Sequence, residues 1–155
     1  MEIFRFLYRF AIAAALATSV VALAPTFKVV SDTVGSDGVL TVFFDERGLG
    51  NSNVAYSLTA TADASFVCCN KGGNQASASN KQTSEPVSAS TTLSATTNGR
   101  IVGSITAGPS TPAFCPSGQT VVLAFVEYVS IVLFDTTNSV SVSPSNVMFA
   151  TACGR

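Results

Sequence analysis

The stretch Asn53 to Cys69, NVAYSLTATADASFVCC, decides the fold. Its even positions from Tyr56 run Leu58, Ala60, Ala62, Ala64 and Phe66, mostly apolar. Its odd positions run Ser57, Thr59, Thr61, Asp63 and Ser65, all polar. A period of two is the signature of a strand with one dry and one wet face. Cys68 therefore continues the core face, and Cys69 points outward.

The flanking segments read the same way. Val39 to Glu46 (VLTVFFDE) is rich in β-branched and aromatic residues, with Leu40, Val42 and Phe44 on one face. Pro86 to Ala95 is a weaker strand of Ser, Thr and Val. Asn98-Gly99 carries the chemistry of a type I′ hairpin turn, so Arg100 to Ala107 is expected as its return strand. Thr120 to Asp135 (TVVLAFVEYVSIVLFD) is 16 residues long and apolar on both faces, so a bend is expected near Glu127. Burial at the centre of the fold, a covering loop or a partner would each account for its second apolar face. Thr136 to Ser139 forms a turn, Val140 to Ser143 returns, and Val147 to Ala152 is a last strand. No stretch shows sustained helical periodicity. Seven or eight short strands predict an antiparallel β-sandwich, immunoglobulin-like or a related Greek key, stapled by disulfides.

Two polar segments are left as loops: Asn70 to Glu85 (NKGGNQASASNKQTSE) and Gly108 to Gly118 (GPSTPAFCPSG). Loops of this length commonly carry function. The first offers Asn70, Asn74, Gln75 and Asn80 as hydrogen-bonding groups. The second offers Phe114 as an aromatic expected at the surface. Tyr56 and Tyr128 lie on apolar strand faces and are expected in the core.

The amino terminus carries a different signal. Arg5 and Arg9 precede the uncharged run Ala11 to Ala24, 14 residues long. That is short of the roughly 20 needed to span a bilayer and suits a secretory signal peptide. We expect residues 1–22 to be the signal, cut after Ala22 (Ala24 is the other small residue), and residues 23–155 to form one secreted domain. No membrane insertion is expected once the signal is removed. Four cysteines behind a signal peptide read as two disulfides. A bond between Cys68 and its neighbour Cys69 would strain the peptide between them. Two pairings remain, and of these we expect Cys68–Cys115 and Cys69–Cys153. Zinc would want spaced cysteine pairs, not adjacent ones.

Composition excludes several functions. The 155 residues include no His, and charged residues make up 11% against a usual figure near 25%. Six basic and eight acidic side chains remain after residue 22. That balance gives no basic surface for nucleic acid. A serine or cysteine nucleophile would lack its imidazole base. A carboxylate pair remains conceivable. Asp45 and Glu46 are adjacent and point to opposite faces, while Glu127 and Asp135 meet only if the long run bends. Asp135-Thr136-Thr137-Asn138 and Asp45-Glu46 do not match a calcium loop, and the first is read as turn chemistry. Gly48-Leu49-Gly50 lacks the helix that a phosphate loop needs. We expect no cofactor, no metal and no enzymatic activity.

The strings D45-E-R-G-L-G, Y56-S-L-T-A, C68-C-N-K-G-G-N, N98-G-R-I-V-G-S, C115-P-S-G-Q and D135-T-T-N-S-V-S-V resemble a group of small secreted, β-rich proteins of filamentous fungi and actinobacteria. The likeness spans about residues 38–143. It implies a pairing of Cys68 with Cys115, has no counterpart for Cys69 and Cys153, and lends no catalytic residues. The signal peptide, the small stapled domain, the lack of catalytic groups and the two polar loops together lead us to expect a secreted, non-enzymatic interaction protein, such as an effector acting in the extracellular space on an extracellular protein. The alternative is a module binding a neutral glycan or cell wall, for which an amide-rich surface and an aromatic platform are the ingredients.

Overall fold

A computed structural model describes residues 24–153. The expected signal peptide lies outside the described residues. Eight strands follow in order: β1 (Thr26–Val34), β2 (Leu40–Arg47), β3 (Asn53–Cys69), β4 (Gln75–Ser94), β5 (Arg100–Ala107), β6 (Thr120–Asp135), β7 (Val140–Val142) and β8 (Val147–Ala150). One sheet has the order β1-β2-β5. The other has the order β4-β3-β6-β7, with β8 pairing beside β6. All pairings are antiparallel. The result is a disulfide-stapled β-sandwich. Its strand order is the immunoglobulin-like one with the fourth strand moved into the second sheet.

β3 is the spine. Val54, Tyr56, Leu58, Ala60, Ala62, Ala64, Phe66 and Cys68 are all buried, so the period-two reading holds over its whole length. Opposite them, Leu40, Val42 and Phe44 of β2 and Ile101 and Ile105 of β5 close the core. Each fully buried Leu or Phe contributes about 1.5–3 kcal/mol relative to exposure.

The two apolar faces of β6 have a mechanical explanation. Between Thr59/Thr61 and again between Ser65/Phe66 of β3, the register with β6 shifts, each time leaving an extra β6 residue. A one-residue bulge exchanges the faces beyond it. Val121 and Leu123 thus pack inward, then Val126 and Tyr128, then Ile131, Leu133 and Asp135. The expected bend is present, but it centres on Ser130, whose φ is 54°, not on Glu127. Burial accounts for the inward apolar set. Phe125, Val129, Val132 and Phe134 remain on the outer face.

One strand is added and two expectations are corrected. β1, which the sequence analysis did not assign, is a strand although its sequence does not alternate, because a bulge between Phe27 and Val29 hides the period. Its Phe27, Val30 and Val34 still pack against the core. The segment Asn70 to Glu85 is not one long loop. β4 begins at Gln75 and pairs along β3 from Ser94 back to Gln75. Its Ser- and Thr-rich half is held by the template of β3, not by an apolar pattern of its own. The turn at Asn98-Gly99 is tight but not type I′: Gly99 N–H donates to Thr96 O at 2.8 Å, which centres the turn on Thr97 and Asn98, and of Asn98 and Gly99 only Gly99 has a positive φ, 64°. Its return strand, however, crosses to the other sheet and pairs with β2.

The cysteines pair as expected, Cys68 with Cys115 and Cys69 with Cys153. Val67 and Cys69 belong to the outer face of β3 yet are only 5% and 6% exposed. The chain after β8 accounts for this: Thr151 N–H donates to Ala124 O, and Cys153 ties the tail to Cys69. Among the described residues no helix is long and apolar enough to cross a membrane.

Candidate functional site

Asp45 and Glu46 do point to opposite faces, and their environments differ sharply. Asp45 faces out, where Arg100 grips it twice, Nε to Oδ1 at 2.8 Å and Nη2 to Oδ2 at 3.0 Å, and Arg47 adds a third contact at 3.1 Å. Arg100 first and then Arg47 lower its pKa from 3.8 to about 2. The same contact raises the Arg100 pKa.

Glu46 faces in and is fully buried. The Tyr56 hydroxyl donates to its Oε2 at 2.8 Å. Its Oε1 has no hydrogen-bond partner among the described residues. Asp135, also fully buried, lies beside it. Burial above all, with the neighbouring Asp135 carboxylate, pushes the Glu46 pKa from 4.5 up to about 7, while the Tyr56 bond opposes the shift. Burial and the Glu46 contact raise Tyr56 in turn. Tyr128, in the core as expected, is pushed up to about 12 by burial and donates to Gly38 O at 2.6 Å.

Asp135 is the turn residue the sequence suggested. Its Oδ1 accepts from Thr137 N–H and Asn138 N–H, at 2.8 and 2.9 Å, and its Oδ2 accepts from Asn138 Nδ2 at 2.6 Å. The carboxylate pair that meets is therefore Glu46 with Asp135, not Glu127 with Asp135. Glu127 lies on the outer face opposite Asp63. The Glu46–Asp135 pair is sealed inside the sandwich and lines neither of the two grooves below. A general acid needs reach to a substrate proton, and this one has none in the closed fold.

The larger groove, about 460 Å³, lies on the outer face of the five-stranded sheet. Asp63, Ser65, Gln82, Ser84 and Phe125 line it, with Ala64 and Thr83 in its floor. Asp63 pairs with Ser84, and Ser65 pairs with Gln82 on one side and Phe125 on the other. Directly paired residues share a face, so these five side chains converge. No Lys or Arg lines the groove. A second groove, about 420 Å³, is lined by Leu93, Ser94, Thr96, Asn98, Arg100, Ile101 and Val102. Its one cation is committed to Asp45.

The residues singled out in the sequence fall unevenly. Phe114 is partly buried against the core, so it is no surface platform. Asn70 Oδ1 is spent on its own turn, accepting from Gly72 N–H and Asn74 N–H at 3.0 Å each, and the Asn74 side chain lies back on Gly72 O. Gln75 opens β4 opposite Cys69. Asn80 pairs with Val67, on the outer face two residues from Gln82, and alone of the five lies beside the larger groove. Among the described residues no group of three or more Cys, Asp or Glu is placed to hold a metal ion. Comparison with family models, with curated proteins and with solved structures gives no significant match.

Proposed function

We propose that the protein is a small secreted binding protein that works outside the cell and performs no catalysis. The observation that carries this reading is the outer-face groove. It is open, it sits on the best-paired strands of the molecule, and its polar groups are not used to hold the fold. Its size falls in the range of small-ligand sites, about 300–1,000 Å³. The buried Glu46–Asp135 carboxyl pair lies away from it. Secretion is supported by the basic-then-apolar segment in residues 1–22 and by two disulfides, which persist in oxidising compartments.

One observation favours the second reading, an effector that grips an extracellular protein. Phe43 and Val102 are 45% and 66% exposed on the outer face of the other sheet. Exposed apolar groups that share a face are candidate anchors.

The test is expression of the full chain in a secreting host. The medium should hold protein whose first residue is Leu23, and that protein should bind whole cell walls saturably without releasing soluble sugars. Retention in the cell with residues 1–22 uncut refutes secretion. Release of soluble products refutes the non-catalytic reading. Binding lost in Phe43→Ser but kept in Phe125→Ala shifts the site to the three-stranded sheet.

A further inference from the structure

We infer that the outer-face groove binds a neutral glycan chain, with one sugar ring stacked on Phe125 and its hydroxyls held by Asp63, Gln82, Ser65 and Ser84. This inference rests on the binding-protein reading and adds the ligand class. It starts from which polar side chains are occupied. Asp37, Asp45, Asn70, Glu85 and Asp135 all accept hydrogen bonds within the fold. The four polar side chains of the groove make no hydrogen bond among the described residues. They stand together around a concavity, beside an aromatic ring.

Their chemistry selects the ligand. A sugar hydroxyl both donates and accepts. A carboxylate accepts from two hydroxyls, an amide gives and takes one each, and a serine hydroxyl does either. The apolar C–H face of a pyranose covers an aromatic ring, which rewards stacking beyond the area buried. Charge narrows the class further. Asp63 lines the groove, Glu127 faces Asp63 across the strand pair, and no cation lines it. An anionic polysaccharide or a phosphate would meet repulsion without compensation. Asn80, on the same face beyond Gln82, extends the polar wall along β4 for a second sugar. The tail pinned by Cys69–Cys153 closes that end. A linear chain would therefore run from the tail toward the Thr61 and Val129 end of the sheet.

The second groove does not compete for this role, because the Arg100 side chain is taken by Asp45. Of the exposed pair on the other sheet, Phe43 lines neither groove and Val102 borders only the second.

The experiment is calorimetric titration of the mature, disulfide-intact protein with neutral oligosaccharides: β-1,4-glucan, β-1,3-glucan, xylan and chitin fragments. Oligogalacturonate is the anionic comparison. One neutral series should bind and oligogalacturonate should not. Phe125→Ala and Asp63→Asn should each weaken binding by about tenfold, the loss expected for one stacked ring or one charged hydrogen bond. Gln82→Ala, on an exposed strand position, should weaken it several-fold with an unchanged melting temperature. This variant keeps the test valid if Phe125→Ala misfolds. Thr106→Ala, at an exposed position of the other sheet that lines neither groove, should bind as the parent does. Binding that survives both Phe125→Ala and Gln82→Ala overturns the groove while leaving a binding protein. No binding of any neutral series, or preference for the anionic one, overturns the ligand class.

Discussion

Glu46 should make this protein less stable as the medium turns from acidic to neutral. In the unfolded chain its carboxyl ionises at its ordinary value of 4.5, and in the folded protein at about 7. Between those values the folded state holds a proton that the unfolded chain has released. Stability therefore falls as pH rises through this window, by roughly 1.4 kcal/mol per unit, and levels off above it. Two and a half units give a total of about 3 kcal/mol, a sizeable share of a typical 5–15 kcal/mol. Asp45 acts in the opposite sense at lower pH. Its carboxylate is held at about 2 by Arg100 and Arg47, so its contribution is lost as pH falls from 3.8 toward 2. The stability maximum should lie near pH 4–5, between these windows. Urea unfolding at pH 5 and pH 8, followed by circular dichroism, reads the effect directly. With a slope of about 1–3 kcal/mol per molar urea, the midpoint should drop by about 1–3 M. Glu46→Gln keeps an acceptor for the Tyr56 hydroxyl and places an amide donor beside Asp135, but it cannot titrate. It should flatten the curve above pH 5 and be more stable than the parent at pH 8. Equal parent midpoints at pH 5 and pH 8, or an unchanged slope in Glu46→Gln, would refute the reasoning.

Other outcomes follow from single features. Replacing Cys69 and Cys153 together by Ser opens a loop of 84 residues, and chain entropy sets the loss at about 4–5 kcal/mol, measurable by urea unfolding. Gly38→Ala should cost about 3 kcal/mol, since φ there is 79° and a Cβ would lie 2.0 Å from Leu123 Cδ2. Ser130→Gly should stabilise by about 1 kcal/mol by removing the left-handed penalty at the β6 bulge, and Ser130→Val should destabilise; thermal melts of the three proteins decide it.

Those bulges also mark where the sequence can be read and where it cannot. β3 and β2 keep their frame, so the burial of Tyr56, Leu58, Leu40 and Phe44 follows from alternation alone. Asp63 and Ser65 could be placed on the wet face for the same reason. Phe125 could not be assigned a face, because the extra residue near Ala124 changes the parity of β6 and is visible only in the register with β3. β4 is harder still. From Gln75 to Glu85 it has almost no apolar residues to reveal a period, and only its partner makes it a strand, so Gln82 and Ser84 read as loop. The meeting of Glu46 with Asp135 joins residues distant in sequence. Each looked like a strand end, and only the packing of the two sheets brings them together. Phe114 erred the other way: a Pro-rich loop suggested exposure, but the Cys68–Cys115 bond draws the loop onto the core.

Cys68 and Cys69 leave the same strand in opposite directions, one into the core and one to the outer face, where the tail covers it. The two correct bonds can therefore form only after that peptide has become extended and chosen its faces. In a collapsed but unstructured chain the two thiols are chemically near-equivalent, and Cys115 and Cys153 would be shared between them. Correct pairing at the adjacent cysteines would thus be coupled to formation of the strand. Exchanging the two partners would ask Cys68 and Cys69 to trade faces, at the cost of a break in the alternation at that end of the strand. A population oxidised under denaturing conditions should consequently contain both isomers, and only the native one should survive reshuffling once the sheet is allowed to form.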